Sequence, residues 1–344
     1  MTITARIEPF GETLELEPGE SVLSAILRHG KFVRYGCKHG GCGTCRARLI
    51  EGECTLDDRT SFSLSDSDRA EDIVLLCSAY VDEGEATFDV SKLQDLTEEE
   101  FHAGLQIDEY EAEVEQIIEH THDIRTVRMR LQEPADMRFG AGQYVEVEVP
   151  GGNDEWRAYS MSNPPHEKGV IEIIVKVIPG GRFSSRLASD IRAGSRLRLR
   201  GPLGQFAVRL SHRPMIMVAG GSGMGPIRAM IHDLAATENQ RPVIFFFGAR
   251  TDRDLFLVDE FRAIEAAHSW FEFVPVLSEA ERSENWTGEI GLVTEAVARR
   301  FEGFRGYEGY LCGPPGMIDA GIELLVGAGC KSRHVFFDRF VPSG

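Results

Sequence analysis

Three cysteines and four glycines lie within ten residues of one stretch, YGCKHGGCGTCRARL at positions 35–49. Thiolates bind soft metals or pair as disulfides, and glycine lets a backbone wrap closely around a bound group. The whole chain has seven cysteines, an odd number in a long chain, which argues against a disulfide framework. The stretch therefore predicts a site where sulfur holds a metal or a cluster.

The spacing of the cysteines narrows the choice of metal. Cys37, Cys42 and Cys45 follow the pattern C-x4-C-x2-C, and Cys77 lies downstream in the apolar, strand-like run DIVLLCSAY. This spacing is typical of a [2Fe-2S] cluster. Zinc sites favour two short pairs of cysteine or histidine, and this region has one short pair. We predict a [2Fe-2S] cluster on these four cysteines, with zinc or uncommitted thiols as the alternatives.

The residues around this loop predict a small α+β domain over residues 1–95. ITARIEPF and TLELEP have the alternation of a hairpin, SVLSAILRHG that of a short helix, and CRARLIEGE and EATFDV that of further strands. This domain resembles the β-grasp fold of plant-type ferredoxins. We expect the loop glycines to take positive φ angles that bring amide N–H groups toward the cluster; they are Gly36, Gly40, Gly41 and Gly43.

Composition excludes several classes of partner. The 344 residues carry a formal net charge of −18 without a basic cluster, which argues against nucleic acid and anionic membranes. No apolar run approaches the length that crosses a bilayer. The N-terminal stretch has neither the basic head nor the apolar core of a signal peptide. We therefore expect a cytoplasmic protein, and a monomer.

The rest of the chain divides into a linker and two further domains. Residues 96–109 are acidic and lack a sustained apolar period, which predicts a linker. Residues 110–210 contain short alternating segments such as GQYVEVEVP and IEIIVKVI, which predict an antiparallel β-barrel. Residues 211–344 alternate apolar strands, glycine loops and amphipathic helices, which predict an α/β domain with a parallel sheet.

Two turns of the α/β domain are candidate nucleotide-binding loops. AGGSGMGP, residues 219–226, joins a buried strand to a helix and could present N–H groups to a pyrophosphate, or it could be an ordinary tight turn. YLCGPPGMIDA, residues 310–320, places Cys312 at a second strand end. Open α/β sheets bind ligands at the carboxyl ends of their strands.

Two segments of the barrel are candidate flavin contacts. RAYSMSN puts Arg157 and Tyr159 on one face of a strand and Ser160 on the other. Arg157 could hold a phosphate and Tyr159 could lie against a ring, or the strand could simply expose an arginine. GGRFSSRLAS, from residue 180, combines glycines, hydroxyls and a helix start, as a phosphate cradle or a plain helix cap would.

Together the motifs RAYS, GGRFSSRL, GPLGQF, AGGSGMGP, YLCGPPGMIDA and VFFDRFVPSG resemble the reductase components of bacterial soluble diiron monooxygenases, which act on methane, alkenes, propane or phenol. The resemblance implies a ferredoxin domain, an FAD-binding barrel and an NAD-binding domain in that order. It implies that NADH reduces FAD and that electrons leave through the cluster to the hydroxylase component.

For the flavin, the resemblance implies contacts from several matched positions. Ser160 ends the family's R-x-Y-S motif near the flavin N5. The other positions implied to bind FAD are Arg157, Tyr159, Lys176, Gly181, Ser184, Ser185 and Phe340. Of these, Lys176 borders the adenosine half and Phe340 covers the isoalloxazine.

For the nicotinamide nucleotide, the resemblance implies a pyrophosphate loop of Gly220, Gly221, Gly223 and Pro226. Beside the nicotinamide it implies Cys312, Gly313 and Pro314. Asp338 occupies a position that is often glutamate. The implied catalytic residues are Ser160, Cys312, Asp338 and Phe340.

The preferred nucleotide depends on two residues after the strand VIFFFGAR. Arg250 could hold a 2′-phosphate, whereas Asp252 could accept a hydrogen bond from a ribose 2′-hydroxyl. We follow the resemblance and expect NADH.

Two other functions fit parts of this pattern. A reductase of a Rieske ring-hydroxylating dioxygenase would share all three modules. A non-enzymatic iron–sulfur carrier would use its α/β half only as structure. The ExxH pair Glu265 to His268 lies in a predicted helix of the α/β domain, but the chain lacks the helical bundle on which a diiron oxygenase carries two such pairs.

Overall fold

The computed structural model describes residues 2–36, 38, 40, 43–57, 63–94, 96–102, 108–152, 155–209, 211–237, 241–283 and 286–340. The chain divides into two compact units: Met1–Asp108 with Gly201–Gln205, and Glu109–Arg200 with Phe206–Gly344. No helix in the described ranges is both long and apolar enough to span a membrane.

The first unit is an α+β domain around a mixed sheet. Its elements are β1 Ile3–Glu8, β2 Glu12–Leu16, α1 Val22–Arg28, β3 Arg46–Glu51, β4 Thr55–Leu56, α2 Asp66–Ala70, β5 Ile73–Leu75, β6 Ala79–Tyr80, β7 Glu85–Asp89, α3 Ser91–Gln94 and α4 Glu98–His102. The sheet order is β2-β1-β7-β3-β5. β1 pairs with β7 in parallel and the other neighbours are antiparallel.

Helix α1 buries one face against this sheet. Ser21 caps its N-terminus by accepting a hydrogen bond from the Ser24 N–H at 3.3 Å. Its apolar side chains join those of β1, β5 and β7 in one buried core. The predicted hairpin, helix and strands of this domain are confirmed.

The run that contains Cys77 differs from the continuous strand that its sequence suggests. β5 ends at Leu75, a 3₁₀ turn covers Leu76–Ser78, and β6 begins at Ala79. Leu75 pairs with Arg46, the first residue of β3, so the ladder has no partner strand beyond it. Because the run is buried almost throughout, its apolar pattern could not reveal the break.

The acidic segment predicted as a linker over residues 96–109 contains ordered structure at its start. Helix α4 places Phe101 in the core of the first unit, fully buried. Its ring stacks on Phe10 with centroids 4.1 Å apart. Phe101 is the one apolar residue of α4, and its burial docks this turn, because burial of an aromatic ring is strongly favourable. Leu96, at the start of the segment, also packs against this core.

The second unit begins with an antiparallel barrel. Its elements are β8 Asp108–Glu119, β9 Ile124–Glu133, β10 Tyr144–Glu148, β11 Trp156–Ser160, β12 Val170–Lys176, α5 Arg182–Ser189 and β13 Arg196–Leu203. The sheet order is β11-β10-β13-β8-β9-β12. A bridge between Met161 and Ile173 joins the two edges. Alternate side chains fill the interior, as the period-two pattern predicts.

The remainder of the second unit is a parallel sheet flanked by helices. Its elements are β14 Met215–Gly220, α6 Met224–Ala236, β15 Val243–Ala249, α7 Val258–Ala267, β16 Phe271–Leu277, β17 Glu289–Ile290, α8 Val293–Arg300, β18 Glu308–Gly313, α9 Pro315–Gly327 and β19 Val335–Arg339. The order is β17-β16-β15-β14-β18-β19, and the fold class predicted for the chain is confirmed. The strand order reverses between β14 and β18, and such a point is where ligands bind in open α/β sheets.

A buried ion pair ties the chain between β13 and β14 to the parallel sheet. Arg241 donates to the carbonyl oxygens of Arg209 and Arg213, each at 2.8 Å, and to Glu308 Oε2 at 2.6 Å. The Tyr310 hydroxyl donates to the same carboxylate oxygen at 2.9 Å. Since every polar group of the pair is matched, the charges are tolerated inside the protein.

We expect Arg241→Met to destabilise the second unit by about 3–5 kcal/mol, because Glu308 would stay buried without its cation. Urea denaturation followed by tryptophan fluorescence measures this loss, since all three tryptophans lie in the second unit. The matched control is Arg186→Met, which breaks an exposed ion pair with Asp190 and should change the midpoint far less. Equal shifts in the two variants would contradict the prediction.

Candidate functional site

Two of the four predicted cluster ligands lie in the described part of the chain, and the fold brings them to neighbouring backbone. Cys45 precedes β3, Cys77 lies in the 3₁₀ turn after β5, and the Leu76 N–H donates to the Cys45 carbonyl oxygen at 2.9 Å. Both thiols are buried. Cys37 and Cys42 lie outside the described residues, and the other described residues hold no group of three His, Cys, Asp or Glu suited to a metal.

The backbone between these cysteines has the conformation that a wrapping loop requires. Gly40 and Gly43 have the expected positive φ angles of 82° and 69°, and Lys38 has one of 60°. The expectation is wrong for Gly36, whose φ angle is not positive, and Gly41 lies outside the described residues. Arg46 braces the loop by donating to the Ser63 carbonyl oxygen at 2.9 Å and to Asp68 at 3.2 Å. The buried sulfur donors and the left-handed turns fit a [2Fe-2S] cluster.

Strand β11 carries the predicted flavin contacts. The Arg157 guanidinium is paired with the Glu155 carboxylate, which also accepts from Arg182 at 3.2 Å. The ring of Tyr159 packs against Phe183 with centroids 5.1 Å apart. Burial raises the pKa of the Tyr159 hydroxyl well above its usual value. Tyr159 is therefore a neutral, half-buried ring. The Arg157 guanidinium is held in place by its ion pair with Glu155.

The segment before helix α5 is ordered by Ser184, a predicted FAD contact. The Ser184 Oγ accepts from the Ile178 N–H at 3.1 Å and donates to the Ile178 carbonyl oxygen at 3.3 Å. Gly181 is the N-cap of α5, and no side chain caps that end. Ser185 lies within the first turn, where its N–H donates to the Gly181 carbonyl oxygen. The uncapped N-terminus fits a pyrophosphate, which helix N-termini favour.

Lys176 lies away from this helix start, at the end of β12. Its ammonium pairs with Asp123 at 3.2 Å and is half exposed. The structure thus places it on the rim of the barrel, with its charge already matched by a carboxylate.

The four predicted catalytic residues come together where the barrel and the parallel sheet adjoin. The Ser160 hydroxyl of β11 donates to Asp338 Oδ2 of β19 at 3.4 Å. Asp338 lies beside Cys312 in the parallel ladder of β18 and β19. The Phe340 N–H donates to the Gly313 carbonyl oxygen at 2.9 Å. Residues far apart in sequence therefore form one constellation.

The Cys312 side chain is fully buried in the core between sheet and helices. Burial, with a smaller contribution from the Asp338 carboxylate, raises the pKa of its thiol well above the usual value. The group is a neutral thiol, and this argues against a role as a nucleophile.

The two predicted nucleotide loops touch each other through their backbones. A Cβ built on Gly223 would lie 2.2 Å from the Cys312 carbonyl oxygen, so only glycine fits there. Gly220 and Gly313 face each other across the same gap, where a Cβ on Gly313 would lie 2.8 Å from the Gly220 carbonyl oxygen. The helices that follow, α6 and α9, lack side-chain caps. Gly221 begins the 3₁₀ turn, Pro226 lies in the first turn of α6, and Pro314 is the N-cap of α9.

Arg250 lies at the same edge of the sheet, beyond the end of β15. It borders a cavity of about 460 Å³ lined by His122, Arg250, Thr251, Arg253 and Asp254. Asp252 accepts a hydrogen bond from the Ser283 hydroxyl at 3.0 Å, and Asp254 accepts from Thr251. The carboxylates of Asp252 and Asp254 therefore both accept hydrogen bonds from hydroxyl groups of neighbouring residues.

Sequence reasoning missed a charged cluster next to the constellation. Arg228 of α6 bonds to Glu172 of the barrel and to Glu260 of α7. Burial alone would raise the pKa of Glu260, but hydrogen bonds from His232 and Arg228 lower it to about 2. The available signal was a single arginine in the otherwise apolar first turns of MGPIRAMIHDLAA.

Three family models match successive parts of the chain. They are described as a 2Fe-2S iron-sulfur cluster binding domain over residues 5–82, an oxidoreductase FAD-binding domain over residues 111–208 and an oxidoreductase NAD-binding domain over residues 217–321. All three cofactors predicted from the sequence are thereby supported.

Relatives match the chain over nearly its full length. It is 35% identical to the reductase component of phenol 2-monooxygenase from Pseudomonas sp. (strain CF600), covering 99% of this chain and 95% of that protein. It is 33% identical to the reductase component of propane 2-monooxygenase from Mycolicibacterium smegmatis, covering 97% and 95%. The crystal structure of an Amycolatopsis cytochrome P450 reductase superposes with a TM-score of 0.86, at 30% identity and 100% coverage of both chains. The chain is an oxidoreductase that belongs to the family of monooxygenase reductase components with iron–sulfur, FAD-binding and NAD-binding domains.

Proposed function

We propose that this chain takes electrons from NADH and passes them through FAD and a [2Fe-2S] cluster to the hydroxylase component of a diiron monooxygenase. The observation that carries the proposal is the contact between Ser160 and Asp338, because it joins the strand with the flavin motif to the sheet with the nucleotide loops. Nicotinamides give electrons in pairs and an iron–sulfur cluster takes one, so the flavin supplies the conversion between them.

The chain's own residues have distinct roles in this proposal. Ser160 orients the reacting edge of the flavin with its hydroxyl, and Asp338 holds that hydroxyl in place. Tyr159 and Phe340 provide aromatic faces for the ring system. Arg157, which is paired with Glu155 in this structure, would hold the phosphate oxygens of the cofactor, because a guanidinium binds them by two parallel hydrogen bonds.

The three modules divide these tasks along the chain. We propose the boundaries 1–95 for the iron–sulfur domain, 96–109 for the linker, 110–210 for the FAD domain and 211–344 for the NAD domain. Residues 1–90 contain seventeen acidic and nine basic side chains. This balance favours an acceptor protein with a basic docking surface.

The relatives named as reductase components of phenol and propane monooxygenases support a monooxygenase component as the acceptor. Stopped-flow oxidation of the reduced chain by a purified diiron hydroxylase, in comparison with a Rieske dioxygenase, tests the choice. Faster oxidation by the Rieske protein would overturn the diiron assignment while leaving the electron-transfer function intact.

An anaerobic NADH titration of the purified protein tests the function itself. Uptake of about three electrons per chain is expected, a pair on the flavin and a single electron on the cluster. Flavin absorbance measures the electron pair on the flavin, and electron paramagnetic resonance measures the single electron on the reduced cluster. A colourless protein whose flavin is not bleached would exclude the enzyme and favour a zinc-binding or carrier protein.

We expect Cys77→Ser to abolish the resonance of the reduced cluster and the reduction of cytochrome c, since each thiolate is a ligand to iron. Reduction of ferricyanide by NADH should persist, because that acceptor takes electrons from the flavin. The control is Cys54→Ser, because Cys54 lies outside the ligand spacing. Burial, with a smaller contribution from Asp82, raises the pKa of the Cys54 thiol to about 11. Retention of the cluster in Cys77→Ser would contradict the ligand assignment.

We expect Gly223→Ala to lower kcat/KM for NADH by about a hundredfold, because the added methyl would displace the loop from the Cys312 carbonyl oxygen by roughly an ångström. Steady-state kinetics with ferricyanide measure the loss. Gly327→Ala, where a Cβ meets nothing within 4 Å, serves as the control. An unchanged kcat/KM in Gly223→Ala would exclude this loop from nucleotide binding.

A further inference from the structure

A cluster of five ionisable side chains connects the barrel to the nucleotide end of the parallel sheet. Its members are Arg128 of β9, Glu172 of β12, Arg228 and His232 of α6, and Glu260 of α7. We call it the Arg228 cluster. Glu172 is 6% exposed, so this carboxylate is placed where an unpaired charge would be strongly unfavourable.

Arg228 is the centre of the cluster and uses its whole guanidinium. Its Nε and Nη2 donate to the two carboxylate oxygens of Glu260, at 2.6 and 3.2 Å. Its Nη1 donates to Glu172 Oε1 and, at 3.2 Å, to the Ser162 carbonyl oxygen. A planar fork bound on two sides fixes direction as well as distance.

Glu172 in turn orders the chain that follows Ser160. Its Oε1 accepts from the Ser162 hydroxyl at 3.2 Å. Its backbone N–H donates to Asn163 Oδ1 at 2.8 Å, and its carbonyl oxygen accepts from the Ser162 N–H at 2.7 Å. Residues 161–163 are all fully or almost fully buried. The position of Ser160 therefore depends on the same carboxylate that Arg228 binds.

On the other side, Arg228 belongs to the helix that starts at the nucleotide loop. The turn Gly221–Gly223 continues directly into α6. One turn before Arg228, a Cβ built on Gly225 would lie 3.6 Å from the Ser162 Cβ, so helix and strand touch without an intervening side chain. The loop cannot shift relative to the Ser160 strand without breaking the bonds of Arg228.

We propose that Arg228 is a positioning residue that sets the nicotinamide-nucleotide loop against the flavin strand and so aligns the hydride donor with its acceptor. This role rests on the proposed function. Buried ion pairs commonly add little net stability compared with apolar residues, whereas misplacement of reacting groups by about an ångström can cost a hundredfold in rate. Arg228 thus sets the geometry between the nucleotide loop and the flavin strand, and it does not set the affinity of either site for its ligand.

Three variants test the proposal: Arg228→Met, Arg228→Lys and Glu172→Gln. The matched control is Arg262→Met, which removes an arginine of α7 that is paired with Glu265 and donates to the Phe273 carbonyl oxygen of β16. For each protein, stopped-flow absorbance gives the rate of flavin bleaching by NADH, and calorimetry gives the dissociation constant of NAD⁺. Hydrogen exchange of residues 160–163 adds a readout that is independent of turnover.

We expect Arg228→Met to bleach at least about tenfold more slowly, with an NAD⁺ dissociation constant within about twofold of the native value and faster exchange over residues 160–163. Arg228→Lys should recover part of the rate. The double variant Arg228→Met with Glu172→Gln should lose no more than Arg228→Met alone, because the partners act as one unit. If Arg228→Met does not fold, the rate and exchange of Arg228→Lys and Glu172→Gln decide the question.

Native bleaching and exchange in these variants would overturn the proposal. A loss of rate matched by an equal loss of NAD⁺ affinity would also overturn it, since Arg228 would then support binding only. Failure of the native protein and of Arg262→Met to bleach with NADH would instead refute the proposed function. The two failures are thus distinct.

Discussion

Backbone contact between the ends of β14 and β18 is the constraint on which the nucleotide end of the second unit depends. The Gly223 Cα lies so close to the Cys312 carbonyl oxygen that a methyl group would collide at 2.2 Å. This approach brings the starts of α6 and α9 side by side, and neither carries a side-chain cap. Two helix N-termini at one point give a partial positive charge where an anionic nucleotide can bind.

Charged side chains then hold this end in relation to the rest of the second unit. Arg228 joins α6 to the barrel, and Arg241 joins the segment before β14 to the base of β18. Each arginine satisfies several acceptors from different elements. Such pairs are costly to desolvate, and their directional bonds specify geometry more than they add stability. The apolar cores on both faces of the sheet supply the burial that stabilises the fold.

The chemistry of the constellation depends on which of its groups are neutral and which carry charge. Cys312 stays protonated because it is buried. Asp338 is a shorter acid than glutamate, yet it accepts a hydrogen bond from the Ser160 hydroxyl at 3.4 Å. Strand β11 of the barrel therefore lies close enough for the shorter side chain to reach it. The backbone N–H of Phe340 is held by Gly313, which places the C-terminal strand next to the nucleotide loop. The acid, the hydroxyl and the aromatic ring are therefore organised by strand pairing.

Local patterns in the sequence determined the elements and their order. The cysteine spacing, the period-two strands of the barrel and the strand–glycine–helix units of the sheet are each read within a few residues, because backbone geometry repeats over that distance. The break of the ladder before Cys77, the docking of Phe101, the bond from Ser160 to Asp338 and the bond from Arg228 to Glu172 were decided by tertiary structure. The last two join residues 178 and 56 positions apart. Their partners are chosen by packing of whole elements, and no local periodicity records that choice.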